Sequence, residues 1–261
     1  MTINLKNFLS SNKKSTKMGD FQELKDIEGL QVSAVSADLY KNGRDDLTLF
    51  YFPEGSNHAV AYTKSSIVSE SINWNRKNAK NNIKALVVNT KNANTFTGDQ
   101  GLIGLDDIAR TLLESLKKIE NENGYEKTKI KDIIFASTGV IGEKFPVEKI
   151  KNNISYLVSN LRINQNKLIW LKVASAIMTT DTRPKLAYSE IKLGDKIVRI
   201  AGIAKGSGMI APNLATMFSF IFTDADISSV VLNKYLAKVL PNTFNAITVD
   251  SDTSTNDMVA I

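Results

Sequence analysis

A turn-rich segment that runs straight into an apolar strand constrains this chain more than any other part of it. The segment, AKGSGMIAPNLATMFSFIFTDA, covers residues 204–225. Its glycines and its Pro-Asn pair are typical of loops, and the run FSFIF is typical of a buried strand. Thr216 stands where the loop and the strand meet. A β-branched residue at such a point commonly serves only as a strand residue.

Thr216 also allows a chemical interpretation. If the Ala215–Thr216 peptide bond breaks, Thr216 gains a free α-amine beside its own hydroxyl, and an α-amine with a pKa of ~7.7–8.0 is a built-in base. The threonine itself would make the break. Its Oγ attacks the Ala215 carbonyl carbon, the acyl group moves from nitrogen to oxygen, and water hydrolyses the ester. The residue pattern by itself leaves both interpretations open.

Five motifs occur along the chain in a fixed order. They are LVVNTKNANTFTGDQG (86–101), ASTGVIGE (136–143), TTDTRPK (179–185), KGSGMIAPNLATM (205–217) and ITVDSDTSTND (247–257). Together they resemble one family, the glutamate N-acetyltransferases, also called ornithine acetyltransferases, and the similarity runs from about Asp26 to the last residue. Members of this family are threonine-nucleophile proteins that split themselves into an α and a β chain.

The resemblance implies an enzyme of arginine biosynthesis that moves acetyl from N2-acetylornithine to glutamate. It implies that Thr216 is the nucleophile, that it carries the acetyl group as an acetyl-threonine, and that self-cleavage occurs between Ala215 and Thr216. Residues 1–215 then form the α chain and residues 216–261 begin the β chain. The resemblance also implies a dimer of such heterodimers and no cofactor, with acetyl-CoA as a co-substrate in some members.

Four further positions take roles from the resemblance, and each also has a simpler local interpretation. Thr138 and Gly139 match the oxyanion hole, although a glycine there can also serve only an unusual backbone angle. Thr182 matches a substrate contact, but it is also a turn residue beside Asp181, which could order the loop instead. Lys205 matches a second substrate contact, since a fixed ammonium suits the carboxylate of an amino-acid substrate, but it is also readily explained as a surface lysine.

Strand-like and helix-like segments are mixed without regular βα alternation, which predicts an α/β fold in layers. The resemblance implies the same layered sandwich, with mixed sheets between helical layers, of an N-terminal-nucleophile-like kind. Predicted strands cover 30–39, 47–52, 58–62, 83–89, 133–136 and 217–223, a hairpin turns at Gly194-Asp195, and a further strand covers 247–249. Predicted helices cover 105–119, 147–161, 164–178 and, capped by Asp226, a segment to about residue 240. In the first of these, Leu105, Ile108, Leu112, Leu116 and Ile119 share one apolar face, and Gly124 is the expected stop.

Composition excludes several kinds of chemistry. The chain has no cysteine, so it has neither disulfides nor a thiol nucleophile. Its one histidine, His58, lies in a polar loop, which argues against a Ser-His-Asp triad. The acidic residues of the last motif lack the glycine and the distal glutamate of a calcium loop, so no metal is expected. We found no glycine-rich nucleotide motif.

The remaining features bear on partners and location. The net charge of +6 comes from dispersed lysines rather than from a basic stripe, which argues against nucleic-acid binding. Apolar runs are too short for a membrane span, and no secretory signal is evident, so a cytoplasmic protein is expected. The chain stops at Ile261, where the family normally continues, so most of the β chain is expected to be missing. Ser251 stands where the family has a glycine.

Two other functions stay open on the sequence. One is a related self-cleaving aminopeptidase or amidohydrolase that passes the acyl group to water. The other is a truncated, non-catalytic copy that keeps the fold.

Overall fold

Two stacked sheets form the centre of the computed structural model, which describes residues 24–79, 82–210 and 217–261. The first sheet has the order β1-β2-β4-β5 and the second the order β3-β9-β8-β7-β6. Strands β4 and β5 are parallel, as are β8 and β9, and the other neighbours are antiparallel. The strands are β1 (Gln31–Val35), β2 (Leu47–Asn57), β3 (Val60–Tyr62), β4 (Asn82–Asn89), β5 (Ile133–Ser137), β6 (Lys185–Leu193), β7 (Lys196–Lys205), β8 (Phe218–Thr223) and β9 (Met258–Ala260).

Among the described residues, four helices pack on the outer faces of the two sheets and one packs beside the core between them. They are α1 (Glu70–Asn78), α2 (Gly98–Asn123), α3 (Val147–Ser159), α4 (Lys167–Ala176) and α5 (Ser229–Val239). Buried side chains of α2 and α3 pack on one face of the first sheet, and α5 packs with Val259 of β9 on the second sheet. The expected α/β sandwich of mixed sheets and helical layers is therefore confirmed, whereas its N-terminal-nucleophile-like character stays a prediction. Within the described residues, no helix is both long enough and apolar enough to cross a membrane.

The core between the two sheets is aromatic. Phe50 of β2 lies 4.9 Å from Phe222 of β8 and 5.9 Å from Phe220, measured between ring centroids. Trp170 of α4 closes one side of this cluster, with its ring 5.8 Å from that of Phe222. Alternate residues of each strand point to opposite faces, so the run FSFIF places all three of its aromatic rings in this core.

Helix α2 shows how the sequence pattern becomes structure. Leu105, Ile108, Leu112 and Leu116 recur at helical spacing, and all four are at most 1% exposed. The helix ends at Gly124, whose φ of 70° is the left-handed cap that glycine adopts readily. The helix begins seven residues before the predicted start at residue 105.

Other predicted boundaries were wrong for identifiable reasons. Strand β1 ends at Val35 rather than at residue 39, because the Asp46 carboxylate accepts the amides of Ala37 and Leu39 and turns the chain. Helix α5 is capped by the Ser228 side chain and not by Asp226.

The predicted strand at 247–249 is absent. This segment pairs with the end of the KGSGMI loop instead, because the Val249 amide donates to the Ile210 carbonyl at 2.8 Å. The Asp250 carboxylate reinforces the pairing by accepting the amides of Met209 and Ile210. These hydrogen bonds to a distant loop satisfy the backbone without a sheet.

Candidate active site

Two motifs meet at the carboxyl ends of two strands. Thr138 directly follows β5 and Lys205 is the last residue of β7, and the Lys205 Nζ donates a hydrogen bond of 2.7 Å to the Thr138 Oγ1. The two residues are 67 positions apart in sequence. Both side chains are almost fully buried, with 3% of Thr138 and 2% of Lys205 exposed. The sequence singled out both residues separately, and the fold joins them.

Lys205 is a cation in an almost closed environment. Burial lowers the pKa of its ammonium from 10.5 to about 8, while the negative charges of Asp181 and Asp257 act to raise it and the positive charge of Lys185 acts to lower it. Its Nζ also lies 5.2 Å from the centre of the Phe218 ring, within the range of a cation–π contact. An ammonium with this pKa is mostly charged at neutral pH.

Asp257 is the residue of this site that our sequence reasoning missed, since we weighed it only as a metal ligand. Its side chain is fully buried, and its Oδ1 accepts the amide of Met217 at 2.8 Å. The other oxygen, Oδ2, has no hydrogen-bond partner among the described residues. Burial raises the pKa of Asp257 to about 7, against the opposing effects of the Met217 amide, of Lys205 and of the Ser254 side chain. The signals in the sequence were its place at the end of the motif 247–257 and its position immediately before β9.

The proposed cleavage point lies outside the described residues. Ala215 and Thr216 fall in the gap 211–216, so the nucleophile, the cleavage site and the division into chains at this bond stay predictions. The residues on both sides of the gap are held by carboxylates: Ile210 by Asp250, and Met217 by Asp257. Met217 is the next residue after Thr216, so Asp257 fixes the backbone one residue away from it.

Gly139 has a backbone that other residues rarely adopt. Its φ is 136°, and a Cβ at this position would lie 2.2 Å from the carbonyl carbon of Lys91 and 2.6 Å from the amide nitrogen of Asn92. The loop stays close because the Val140 amide donates to the Lys91 carbonyl at 2.9 Å. The local interpretation of Gly139 is thus confirmed, and its part in an oxyanion hole stays a prediction.

Thr182 is exposed, on the loop that precedes β6. The Asp181 side chain, in contrast, is fully buried and accepts the amide of Gly206 at 2.7 Å as well as the ammonium of Lys185. Burial raises the pKa of Asp181, but these donors outweigh it and leave the pKa below its usual value. Asp181 therefore orders the loop and ties it to the residue that follows Lys205. The substrate contact of Thr182 stays a prediction.

The buried side-chain amide of Asn256 forms hydrogen bonds with the loops next to the site. The Nδ2 of Asn256 donates to the carbonyls of Ala93 and Ser137, at 2.6 and 2.7 Å. Its Oδ1 accepts the hydroxyl of Thr95 at 3.1 Å. Asn256 thus connects three of the sequence motifs, and the polar loop after β4 serves as a structural support at this point.

His58 lies in the turn between β2 and β3, as its polar surroundings predicted. It lines a cavity of about 410 Å³ together with Asn82, Phe222 and Asp224. These residues lie toward the opposite end of the strands from Thr138 and Lys205, since Asn82 begins β4 and Phe222 is near the end of β8.

Comparison with known proteins gives a consistent result. The model of the ArgJ family matches residues 31–261. The arginine biosynthesis bifunctional protein ArgJ of Bartonella quintana is 41% identical over 239 residues, which are 91% of this chain and 55% of that protein. The protein of the same name from Mesorhizobium japonicum is 42% identical, with 90% of this chain and 54% of that protein covered. The chain spans about half the length of the curated relatives it matches.

Solved structures show the same fold. The ArgJ protein of Bacillus halodurans superposes with a TM-score of 0.63 at 24% identity, over 75% of this chain and 97% of that one. The ornithine acetyltransferase of Mycobacterium tuberculosis, solved in complex with ornithine, superposes with a TM-score of 0.60 at 22% identity, over 75% of this chain and 98% of that one.

Proposed function

The chain belongs to the ArgJ family, and from that premise we propose that it is part of an acetyltransferase that moves acetyl from N2-acetylornithine to glutamate. The curated relatives are named for arginine biosynthesis, and one structural neighbour is an ornithine acetyltransferase with ornithine bound. The observation that carries the proposal is the hydrogen bond between Lys205 and Thr138. It brings a cation for a substrate carboxylate into contact with a hydroxyl suited to an oxyanion.

The proposed reaction has two halves. After cleavage, the α-amine of Thr216 takes the proton of its own Oγ, which attacks the acetyl carbonyl of N2-acetylornithine. Thr138 and the amide of Gly139 stabilise the oxyanion, the C–N bond breaks, and ornithine leaves with the proton. The amine of glutamate then attacks the acetyl-threonine ester, the C–O bond breaks, and the Thr216 hydroxyl is restored.

Lys205 suits the recognition of both substrates, because ornithine and glutamate share an α-carboxylate. Its ammonium has three N–H donors, and among the described residues only the Thr138 hydroxyl accepts one of them. The remaining donors are available to a carboxylate. Thr182, on the loop that Asp181 ties to Gly206, is proposed as the second contact.

Several features of the whole protein belong to the same proposal. The relatives are named bifunctional, which suits acetyl-CoA as a second acetyl donor to the same threonine. No other cofactor is needed. The two chains on either side of the Ala215–Thr216 bond would assemble as a dimer of heterodimers in the cytoplasm.

The test uses the protein expressed from its full open reading frame, as wild type and as Thr216→Ala. We expect intact mass and N-terminal sequencing to show a wild-type fragment beginning Thr-Met-Phe-Ser, and a single uncut chain in the variant. Thr223→Ala is the matched control, since it removes a hydroxyl at the far end of the strand that begins after Met217.

The same preparations then receive N2-acetylornithine with and without glutamate. The wild type and Thr223→Ala should form N-acetylglutamate, and Thr216→Ala should form none. A folded wild-type protein that stays uncut and inactive would contradict the proposal in favour of a non-catalytic copy. Release of free acetate without transfer to glutamate would favour the hydrolase instead.

A further inference from the structure

The Thr138 hydroxyl accepts a hydrogen bond but donates none to the described residues. Its oxygen accepts the hydrogen bond from the Lys205 Nζ at 2.7 Å. Its single hydrogen is donated to no acceptor among residues 24–79, 82–210 and 217–261. A hydroxyl that is 97% buried ordinarily uses its donor as well as its acceptor. The Thr138 hydroxyl therefore has a hydrogen-bond donor that is available to a ligand.

The charge state of Lys205 decides which way this hydrogen bond runs. An ammonium has three donors and no acceptor, so it can only donate to the threonine oxygen. A neutral amine has a lone pair and can accept the hydroxyl hydrogen, which would consume the donor. While Lys205 is charged, the Thr138 hydrogen must lie away from it and stays available to another oxygen.

We propose that Lys205 is a positioning residue, whose ammonium orients the Thr138 hydroxyl so that its hydrogen donates to the oxyanion of the reacting acetyl group. This rests on the proposed acetyl transfer and adds a second role to the contact with the substrate carboxylate. Lys205 thereby contributes to the chemical step as well as to binding.

Burial and the charges around Lys205 set the pH range in which it is an ammonium that donates to Thr138. Asp181 and Asp257 favour the ammonium, Lys185 disfavours it, and burial brings the pKa down to about 8. No carboxylate among the described residues lies within ion-pair distance of its Nζ. Asp257 is fully buried, and it favours the ammonium only in its ionised form, above about pH 7. Above about pH 8 the amine becomes neutral, and kcat should fall although substrate is saturating.

A double-mutant cycle on kcat separates positioning from binding. Thr138→Ala should lower kcat by about 100- to 1,000-fold, as removal of one oxyanion donor does elsewhere. Lys205→Met should lower kcat substantially in the wild-type background but by less than about threefold in the Thr138→Ala background, because its effect passes through the hydroxyl. Losses that multiply, or an effect of Lys205→Met on KM alone, would overturn the proposal.

Two variants serve as references. Lys84 is also buried, at 6% exposed, and its Nζ donates to the Glu126 carbonyl at the other end of the first sheet. Lys84→Met therefore removes a buried lysine without touching the site, and its alkaline pH profile should match the wild type. Lys205→Arg keeps a permanent charge, so the alkaline fall in kcat should disappear from whatever activity remains.

A titration of Lys205 by nuclear magnetic resonance, with 15N in the lysine Nζ, tests the proposal without any activity. The wild type should show a charged Nζ at pH 7 with a midpoint near 8, and Asp257→Asn should lower that midpoint. A neutral amine at pH 7 would overturn the proposal. A wild type with the expected titration but no acetyl transfer would instead contradict the proposed function.

Discussion

Gly139→Ala is the substitution whose effect the structure specifies in most detail. The backbone φ of 136° is itself unfavourable for alanine, at about 1–2 kcal/mol. The new Cβ would also lie 2.2 Å from the backbone of Lys91, so one of the two segments must move by more than an ångström. That movement breaks the hydrogen bonds of Val140 with Lys91 and with Ala93, at about 1 kcal/mol each. We expect a total loss of about 3–4 kcal/mol.

Gly142→Ala is the matched control in the same loop. Gly142 also has a positive φ, of 82°, but its added Cβ would meet no atom within 4 Å. Gly142→Ala should therefore lower the free energy of unfolding only by the cost of the positive φ, about 1–2 kcal/mol. Denaturant unfolding followed by circular dichroism measures both variants against the wild type. Equal stabilities of the two variants would refute the argument from the close approach of Gly139 to Lys91.

Three further predictions concern buried polar groups. Asn256→Ala removes the amide that donates to the Ser137 and Ala93 carbonyls, and only the Ala93 carbonyl keeps a side-chain donor, the Thr95 hydroxyl at 3.3 Å, so urea unfolding should show a loss of about 1–3 kcal/mol; an unchanged midpoint would contradict this. Thr48→Val removes a buried hydroxyl that has no partner among the described residues, and should raise the free energy of unfolding by about 1 kcal/mol; a lower melting temperature would argue against it. Burial raises the pKa of Asp257 from 3.8 to about 7, so between these pH values the folded state holds a proton that the unfolded state has released. The free energy of unfolding of the wild type should therefore fall as the pH rises through this range. Asp257→Asn should flatten this slope, and parallel pH profiles of the two proteins would contradict the assignment.

Local patterns in the sequence predicted most of the elements. The spacing of Leu105, Ile108 and Leu112 predicted the buried face of α2, and Gly124 predicted its end, because both depend on the geometry of one helix. The turn at Gly194-Asp195 was equally readable, since a tight hairpin is made by neighbours in sequence. Such features need no knowledge of what lies across the core.

The same reasoning failed where a backbone group found its partner far along the chain. The strand predicted at 247–249 pairs with the loop at Ile210 instead, because Asp250 reaches two amides about forty residues away. The end of β1 is also set by a carboxylate, that of Asp46, although this one lies only nine and seven residues from the amides of Ala37 and Leu39. A hydrophobic or β-branched run of residues does not reveal whether a carboxylate elsewhere in the chain will accept hydrogen bonds from its backbone amides.

The sequence by itself determined the family resemblance, the alternation that builds the sheets, and the identity of Thr138, Gly139 and Lys205 as residues of interest. Only the tertiary structure decided that Thr138 and Lys205 touch, that the lysine is buried, and that Asp257 is buried near enough to influence the pKa of the lysine. Contact and burial depend on how two sheets and their loops pack together. A pKa or a hydrogen-bond direction follows from that packing, so no local motif contains it.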